Sequence, residues 1–338
     1  MKALFIGGTG TISTEISKLC LKQGWELTLL NRGRSSDRVP AGARVICADI
    51  HDEAAVKAAL DDETFDVVAD FIAFTVDHVE RDIRLFSGRC DQYFFISSAS
   101  AYQKPLASPW ITESTPLHNP YWEYSRNKTV CEDVLMKAYR ETGFPVTINR
   151  PSHTYCERSI PVAIHGVNGS WQTILRMRQG KPVIIPGDGA TLWTCTHSRD
   201  FAVGFVGLMG NVHALGETYH ITSDESMTWN QIYESIARAL GVKLNAVHIA
   251  SETLAKLSPD WVGALLGDKS NTVIFDNSKI KRAVPQFNCT TRYDQGMREA
   301  LAYIDSHPEC QKLDPEFDSW CDAVVEAYEK LEAALPRL

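Results

Sequence analysis

MKALFIGGTGTIS, residues Met1–Ser13, decides how the rest of the chain is read. Ala3–Ile6 is a short apolar run, Gly7–Ser13 is a glycine-rich turn, and the helical pattern that follows closes at Gly24. Strand, glycine turn and helix in this order present backbone amides at a helix N-terminus to a phosphate. Gly7 and Gly10 permit a tight turn and close approach of the backbone to a pyrophosphate, with Thr9, Thr11 and Ile12 in the same turn. The third small position is Ser13, which still lets helix and strand pack closely. The stretch therefore predicts a dinucleotide site.

Reading outward, Trp25–Leu30 is a second strand that runs into Asn31, Arg32, Gly33 and Arg34. A carboxylate at this strand end would accept hydrogen bonds from the adenosine ribose, and Asn31 does not supply one. Arg32 and Arg34 are suited instead to a 2′-phosphate, because a guanidinium pairs with phosphate bidentately, so the cofactor is expected to be NADP or NAD with NADP favoured. Arg44–Asp49 is a third strand, with Asp49 and Ile50 set to flank an adenine. Asp66–Ile72 is a fourth, followed by Ala73 where the backbone would pass the cofactor's phosphates and ribose, with Phe71 and Ile72 also expected at the cofactor. Asp91–Ile96 is a fifth, with Ser97, Ser98 and Ser100 at its C-terminal edge, and Pro145–Arg150 is a sixth. Strands alternating with helices predict a doubly wound parallel α/β sheet whose ligands bind at the carboxyl ends of its strands.

After Arg150 and Pro151 the rhythm changes. A helix over Trp171–Gln179, a strand over Pro182–Pro186, a helix through Leu208, a return strand at Thr218–Thr222 and a helix from the cap Thr228 to Gly241 are expected, with mostly helix beyond Ser251. The predicted organisation is a dinucleotide-binding domain over residues 1–155, with a return segment near 197–222. A substrate-binding lobe follows over 156–310, and a C-terminal helix over 311–338.

Composition narrows the class of function. The 338 residues are 44% hydrophobic and 22% charged, with a formal net charge of −8 and no sustained Lys/Arg run, which argues against a nucleic-acid or anionic-membrane surface. Nine cysteines form no CxxC pair and read as small buried hydrophobes in a reducing compartment. The first apolar run breaks at Gly7, too short for a signal sequence or a membrane span, so the protein is expected in the cytoplasm. His153, His165 and His197 have no metal-ligand spacing, and no metal is expected. Asp188, between two glycines, suits either a substrate hydroxyl or plain turn chemistry.

Chemistry is carried by Tyr124-Ser-Arg-Asn-Lys128. Of the eleven tyrosines this one alone has a lysine four residues on, which puts the two side chains on one helical face, one turn apart. An ammonium beside a phenol favours the phenolate, making Tyr124 a candidate acid/base. The glycine turn, Ser98 four residues before Tyr102 in SSASAY, and Tyr124 with Lys128 in YSRNK together resemble the extended short-chain dehydrogenase/reductase family, in its NAD(P)-dependent epimerase/dehydratase branch. Asn149-Arg-Pro-Ser152 is similar to the branch's Arg-Pro strand end, and Gly187–Gly189 to its later GDG turn, so the resemblance runs over roughly residues 1–300.

The resemblance implies a Rossmann domain with a smaller substrate domain, and reversible hydride transfer on a hydroxyl or carbonyl carbon of a sugar or sugar nucleotide. Tyr124 would be the acid/base, Lys128 would lower its pKa and hold the nicotinamide ribose, and Ser98 would hydrogen-bond the reacting oxygen. Pro151, Ser152 and His153 would lie near the nicotinamide, and Ser98, Ser100, Trp193 and Arg199 near substrate. A homodimer is the family's habit. Two positions depart from the pattern. The family arginine that grips a substrate diphosphate, four residues before His197, is Trp193 here. A second arginine before Asp276-Asn-Ser-Lys279 has only Lys269 nearby, leaving Arg176, Arg178 and Arg199 to compensate. Epimerisation, dehydration and simple redox all remain open. So do a reductase or dehydrogenase of a non-nucleotide alcohol or ketone, and a non-catalytic nucleotide-binding relative.

Overall fold

The computed structural model describes residues 1–33 and 36–336. Seven strands make one parallel sheet: β1 (Lys2–Ile6), β2 (Glu26–Asn31), β3 (Arg44–Cys47), β4 (Phe65–Asp70), β5 (Cys90–Ile96), β6 (Val146–Asn149) and β7 (Thr218–Tyr219). Their order is 3-2-1-4-5-6-7, the doubly wound arrangement expected from the glycine turn. Register aligns the carboxyl ends, with Ile6 beside Leu30 and Asp70, Asp70 beside Phe95, and Ile96 beside Asn149. That common edge is where βα loops can converge on a ligand.

Most positions of the inner strands are buried because helices cover both sheet faces, while the edge strand β3 is largely exposed. Alternate residues of β1 go to opposite sides. Ala3 and Phe5 pack with Ile16 and Cys20 of α1 (Ser13–Lys22) and with Phe201 and Phe205 of the helix Ser198–Leu208. Leu4 and Ile6 face a core that takes Val56 from α2 (Glu53–Leu60), Val79 from α3 (Val76–Phe86), and Cys131 and Leu135 from α4 (Glu123–Thr142). The helix ends follow local chemistry. Asp52 caps α2 by accepting from the Ala55 amide at 3.0 Å, and Gly143 closes α4 in the left-handed conformation (φ 74°).

The chain divides into two compact units. The first joins Met1–Thr154 to Thr196–Asp224 and Phe275–Thr290. The Thr196–Asp224 segment supplies the helix Ser198–Leu208 and β7, near where the sequence predicts a return. Phe275–Thr290, which the sequence reading leaves in the second lobe, brings Ile280, Val284 and Phe287 into the core under that helix. Gly207 makes the approach possible, since a Cβ there would stand 2.3 Å from Val284 Cγ1.

The second unit comprises Tyr155–Cys195, Glu225–Ile274 and Thr291–Leu338. In it a two-stranded parallel sheet, Val183–Pro186 with Ala246–Ile249, is accompanied by the helices Trp171–Arg178, Trp229–Leu240, Tyr293–Ser306 and Pro315–Ala334. Thr228 and Gln231 form a reciprocal capping box at the start of Trp229–Leu240. No helix among the described residues is long and apolar enough to cross a membrane.

Candidate active site

The turn after β1 is shaped for a dinucleotide. Gly7 adopts φ 101° and Gly8 φ 41°, and a Cβ on Gly8 would stand 2.5 Å from Leu29 Cδ2, so the backbone lies flat on β2 only because side chains are missing. Gly10 donates its N–H to Ser13 Oγ at 2.8 Å, so the serine in the third small position braces the turn where α1 begins. Beside this turn is a cleft of about 400 Å³. Gly7, Thr9, Asn31, Arg32, Asp49, Ile50 and Ile72, all singled out from the sequence, line it, together with the unanticipated Leu30, Ala48, His51, Phe74 and His78. Gly10, Thr11 and Ile12 occupy the glycine turn itself, Gly10 and Thr11 exposed. A narrow glycine cradle opening into a cleft of this size fits the pyrophosphate and adenosine half of a nicotinamide dinucleotide.

The loop between β4 and α3 is held by charge in the sheet. Asp70 Oδ1 accepts from the Ile72 amide at 2.6 Å, while its other oxygen takes Arg81 Nη2 at 2.9 Å. Arg81 also pairs with Asp82, which accepts from Tyr93 Oη at 2.6 Å. Burial, with Asp70 close by, pushes the Asp82 carboxyl well above its ordinary range. This network holds the loop whose Ile72 lines the cleft; Phe71 packs instead on Phe5 and Phe205, and Ala73 is buried outside the cleft lining. Sequence reasoning missed the network, although an aspartate ending a buried strand was the available signal.

Tyr124 and Lys128 occupy the first turns of α4. Lys128 is buried, and its Nζ donates to Ala73 O and to Ile96 O, each at 2.6 Å. It also stands 4.4 Å from the Phe74 ring centroid, 4.8 Å from Phe95 and 5.7 Å from Tyr124. Burial pulls the ammonium down to about 8. Tyr124 is half-buried between Phe74 (centroids 6.3 Å) and Trp122 (5.0 Å).

The serines after β5 have separate surroundings. Ser97 is buried, donates its hydroxyl to Glu132 on α4, and donates its N–H to Asn149 O at 2.7 Å. Ser98 is half-buried, accepts from the Ser100 N–H at 3.2 Å, and lies 2.8 Å from Ser100 Oγ. Ser100 is buried behind it and accepts from Ser125 Oγ at 2.7 Å. The Ala99 N–H donates to Pro151 O at 2.9 Å, which brings Pro151 beside this turn, with Ser152 and His153, both half-buried, next in the chain. Glu132 also receives Arg150 Nε at 2.9 Å and its Nη2, a bidentate ion pair buried on both sides.

The remaining candidates have surroundings of their own. Trp193 is buried in the second unit, stacked on Trp229 with centroids 5.3 Å apart. Arg176, also buried, is taken up by Asp318, Asp322 and the Pro182 carbonyl, and Arg178 by Asp305 and the Trp171 ring. Arg199 is exposed in the first turn of Ser198–Leu208, and Arg34 lies outside the described residues. No group of three or more His, Cys, Asp or Glu suited to a metal ion occurs among the described residues.

A parallel sheet in this order, with a glycine cradle at β1, is a dinucleotide-binding fold, and with the family match it makes the chain an NAD(P)-dependent enzyme of the short-chain dehydrogenase/reductase type. Within that class the chain belongs to the NAD dependent epimerase/dehydratase family, whose model matches residues 3–222. It is 23% identical over 288 residues to a 2′-dehydrokanamycin reductase of Streptomyces kanamyceticus, covering 85% of this chain and 80% of that one. It is 27% identical over 253 residues to the chloroplast stem-loop binding protein of 41 kDa b of Arabidopsis thaliana, covering 71% and 63%. The fold matches a dTDP-glucose 4,6-dehydratase from Bacillus anthracis (TM-score 0.74, 17% identity, 92% and 98% covered). It also matches a UDP-glucose 4-epimerase from Thermus thermophilus (TM-score 0.71, 18% identity, 91% and 100% covered).

Proposed function

We propose that the protein catalyses reversible hydride transfer at a hydroxyl-bearing carbon of a sugar or sugar nucleotide, with Tyr124 as acid/base, Lys128 as its electrostatic partner and Ser98 as hydrogen-bond donor to the reacting oxygen. The observation that carries this reading is Lys128, a buried ammonium clamped on two carbonyls beside the Tyr124 ring. When bound, the nicotinamide accepts or returns the hydride. The chain's own groups move the proton and fix the oxygen.

Tyr124 takes the hydroxyl proton as phenolate and gives it back as phenol. A buried ammonium 5.7 Å from the Tyr124 ring centroid favours the phenolate over the phenol. Ser125 Oγ donates to Ser100 Oγ, and Ser98 Oγ lies 2.8 Å from Ser100 Oγ and accepts from the Ser100 N–H. We read the chain as running from Ser125 through Ser100 to Ser98, which leaves the Ser98 proton for the substrate oxygen. Ser100 then acts through Ser98.

For the cofactor we favour NADP. Arg32 lines the cleft where β2 ends, and Asn31 Oδ1 is occupied by the Gly33 amide at 2.9 Å. Fluorescence titration is expected to give tighter binding of NADPH than NADH, with the difference reduced in Arg32→Ala. A second reading, reduction or oxidation of a non-nucleotide carbohydrate ketone or alcohol, is favoured by Arg176 and Arg178 being held in internal ion pairs, and it agrees with the likeness to a reductase named for an aminoglycoside ketone. The likeness to a stem-loop binding protein suggests a non-catalytic role, but the net charge of −8 disfavours a phosphate backbone.

The test is a screen of free sugars, aminoglycosides and sugar nucleotides for nicotinamide absorbance change and for epimer products. Tyr124→Phe should lower turnover about 10²–10⁴-fold while NADPH still binds. Full activity in that variant would refute the assignment.

A further inference from the structure

Phe74 is a large apolar side chain left 43% exposed on the loop between β4 and α3. Its position is tightly set. The Phe74 N–H donates to His78 Nδ1 at 3.1 Å, the preceding Ala73 carbonyl holds Lys128 Nζ, and the Ile72 amide is tied to Asp70. The Phe74 ring neighbours the Tyr124 ring (centroids 6.3 Å) and lies over Lys128 Nζ (4.4 Å), while the fully buried Phe95 backs the ammonium from the sheet. Lys128 is only 2% exposed although its cover is half in solvent. Phe74 is thus the nearest and most exposed of three aromatic rings that, with two carbonyls, enclose Lys128 Nζ.

We infer that Phe74 is a positioning residue that seals Lys128 from water, so that the ammonium acts on Tyr124 through protein instead of solvent. A charge facing water is screened by it, and the same charge behind an aromatic wall is not. The ring face also attracts the ammonium, keeping Nζ on the Ala73 and Ile96 carbonyls when the side chain would otherwise reach for water. The other titratable groups around Lys128 are Tyr124, Cys131 and Glu132 on α4 and Asp70 at the end of β4, with His78 holding the loop. Of these only the half-buried Tyr124 ring also lies over Nζ, at 5.7 Å against 4.4 Å for Phe74. The lowered basicity of Lys128 agrees with this enclosure.

The inference rests on the proposed pairing of Tyr124 with Lys128, and its test separates the two. Near-ultraviolet phenolate absorbance is followed against pH without cofactor, with the matching Tyr124→Phe protein subtracted to isolate Tyr124. In the wild type the Tyr124 midpoint should fall below that of free tyrosine. In Phe74→Ala it should rise by about one pH unit, a tenfold change in proton concentration, and in Phe74→Leu, which keeps a smaller apolar cover, by about a third of that. In a Lys128→Met background the Phe74 substitutions should have no further effect. A wild-type midpoint no lower than free tyrosine overturns the pairing itself. A lowered wild-type midpoint that Phe74→Ala and Phe74→Leu leave in place overturns the role of Phe74 alone, as does an equal shift in the Lys128→Met background. Should Phe74→Ala fail to fold, Phe74→Leu with and without Lys128→Met decides by the same criteria.

Discussion

Glu132 and Arg150 test how α4 is held in place. Glu132 sits one turn beyond Lys128 and two beyond Tyr124, and its carboxylate takes Arg150 Nε, Arg150 Nη2 and the Ser97 hydroxyl. The side chains are 6% and 4% exposed, so neither charge has water as an alternative partner. Glu132→Leu leaves a buried guanidinium without its carboxylate, facing the Glu113 carbonyl (3.1 Å) and Tyr102, whose ring face is 4.9 Å away. Arg150→Met leaves a buried carboxylate with only the Ser97 hydroxyl among those three contacts. Each single change is expected to cost about 3–5 kcal/mol, against a total stability of about 5–15 kcal/mol for a typical protein. The double variant removes both charges and should cost less than either single one, giving a coupling energy above about 3 kcal/mol. Urea denaturation of the four proteins at neutral pH, with the slope checked for constancy, measures the cycle. Additive losses, or single losses under about 1 kcal/mol, would show that the pair is screened and that α4 is held by apolar packing alone.

Three further outcomes follow from the same geometry. Lys128 carries a folded pKa near 8 against an ordinary value of 10.5, so between these limits the unfolded chain holds a proton the folded one has released, and stability rises with pH. Relative to Lys128→Met, the wild type should therefore gain about 2 kcal/mol between pH 7 and pH 10 in denaturant titrations, and a constant difference would contradict the burial argument. Gly8→Ala must hold a side chain at φ 41° against Leu29, so a loss of about 1–3 kcal/mol and weaker NADPH binding are expected, and an unchanged melting curve would count against the cradle. Ser100→Ala should lower kcat about tenfold or more with KM nearly unchanged, while Ser100→Thr restores most of it; a change confined to KM would make Ser100 a direct substrate contact.

Much of this was legible in the chain itself. The glycine turn, the apolar strands and the Tyr124–Lys128 spacing are local patterns, and the doubly wound order follows from them because parallel strands joined by helices have few ways to pack. SSASAY shows where reading by type stops. Ser97, Ser98 and Ser100 are chemically alike, yet one hydroxyl meets Glu132, one closes a chain through Ser125, and one stands at the site's edge. The tight turn after β5, not residue type, assigns them.

By itself, then, the sequence determined that a dinucleotide fold would form and which tyrosine and lysine would share a helical face, since both depend on spacing within a few turns of backbone. Tertiary structure alone decided what surrounds them: the Ala73 and Ile96 carbonyls under Lys128, the Phe74 wall, the Glu132–Arg150 anchor, and Phe275–Thr290 packed beneath Ser198–Leu208. Those contacts join residues from about 20 to about 80 positions apart, as from Glu132 to Arg150 or Gly207 to Val284. The ends of such contacts carry no mark of their partners, because burial and charge pairing exist only once the sheet has brought separate loops to one edge.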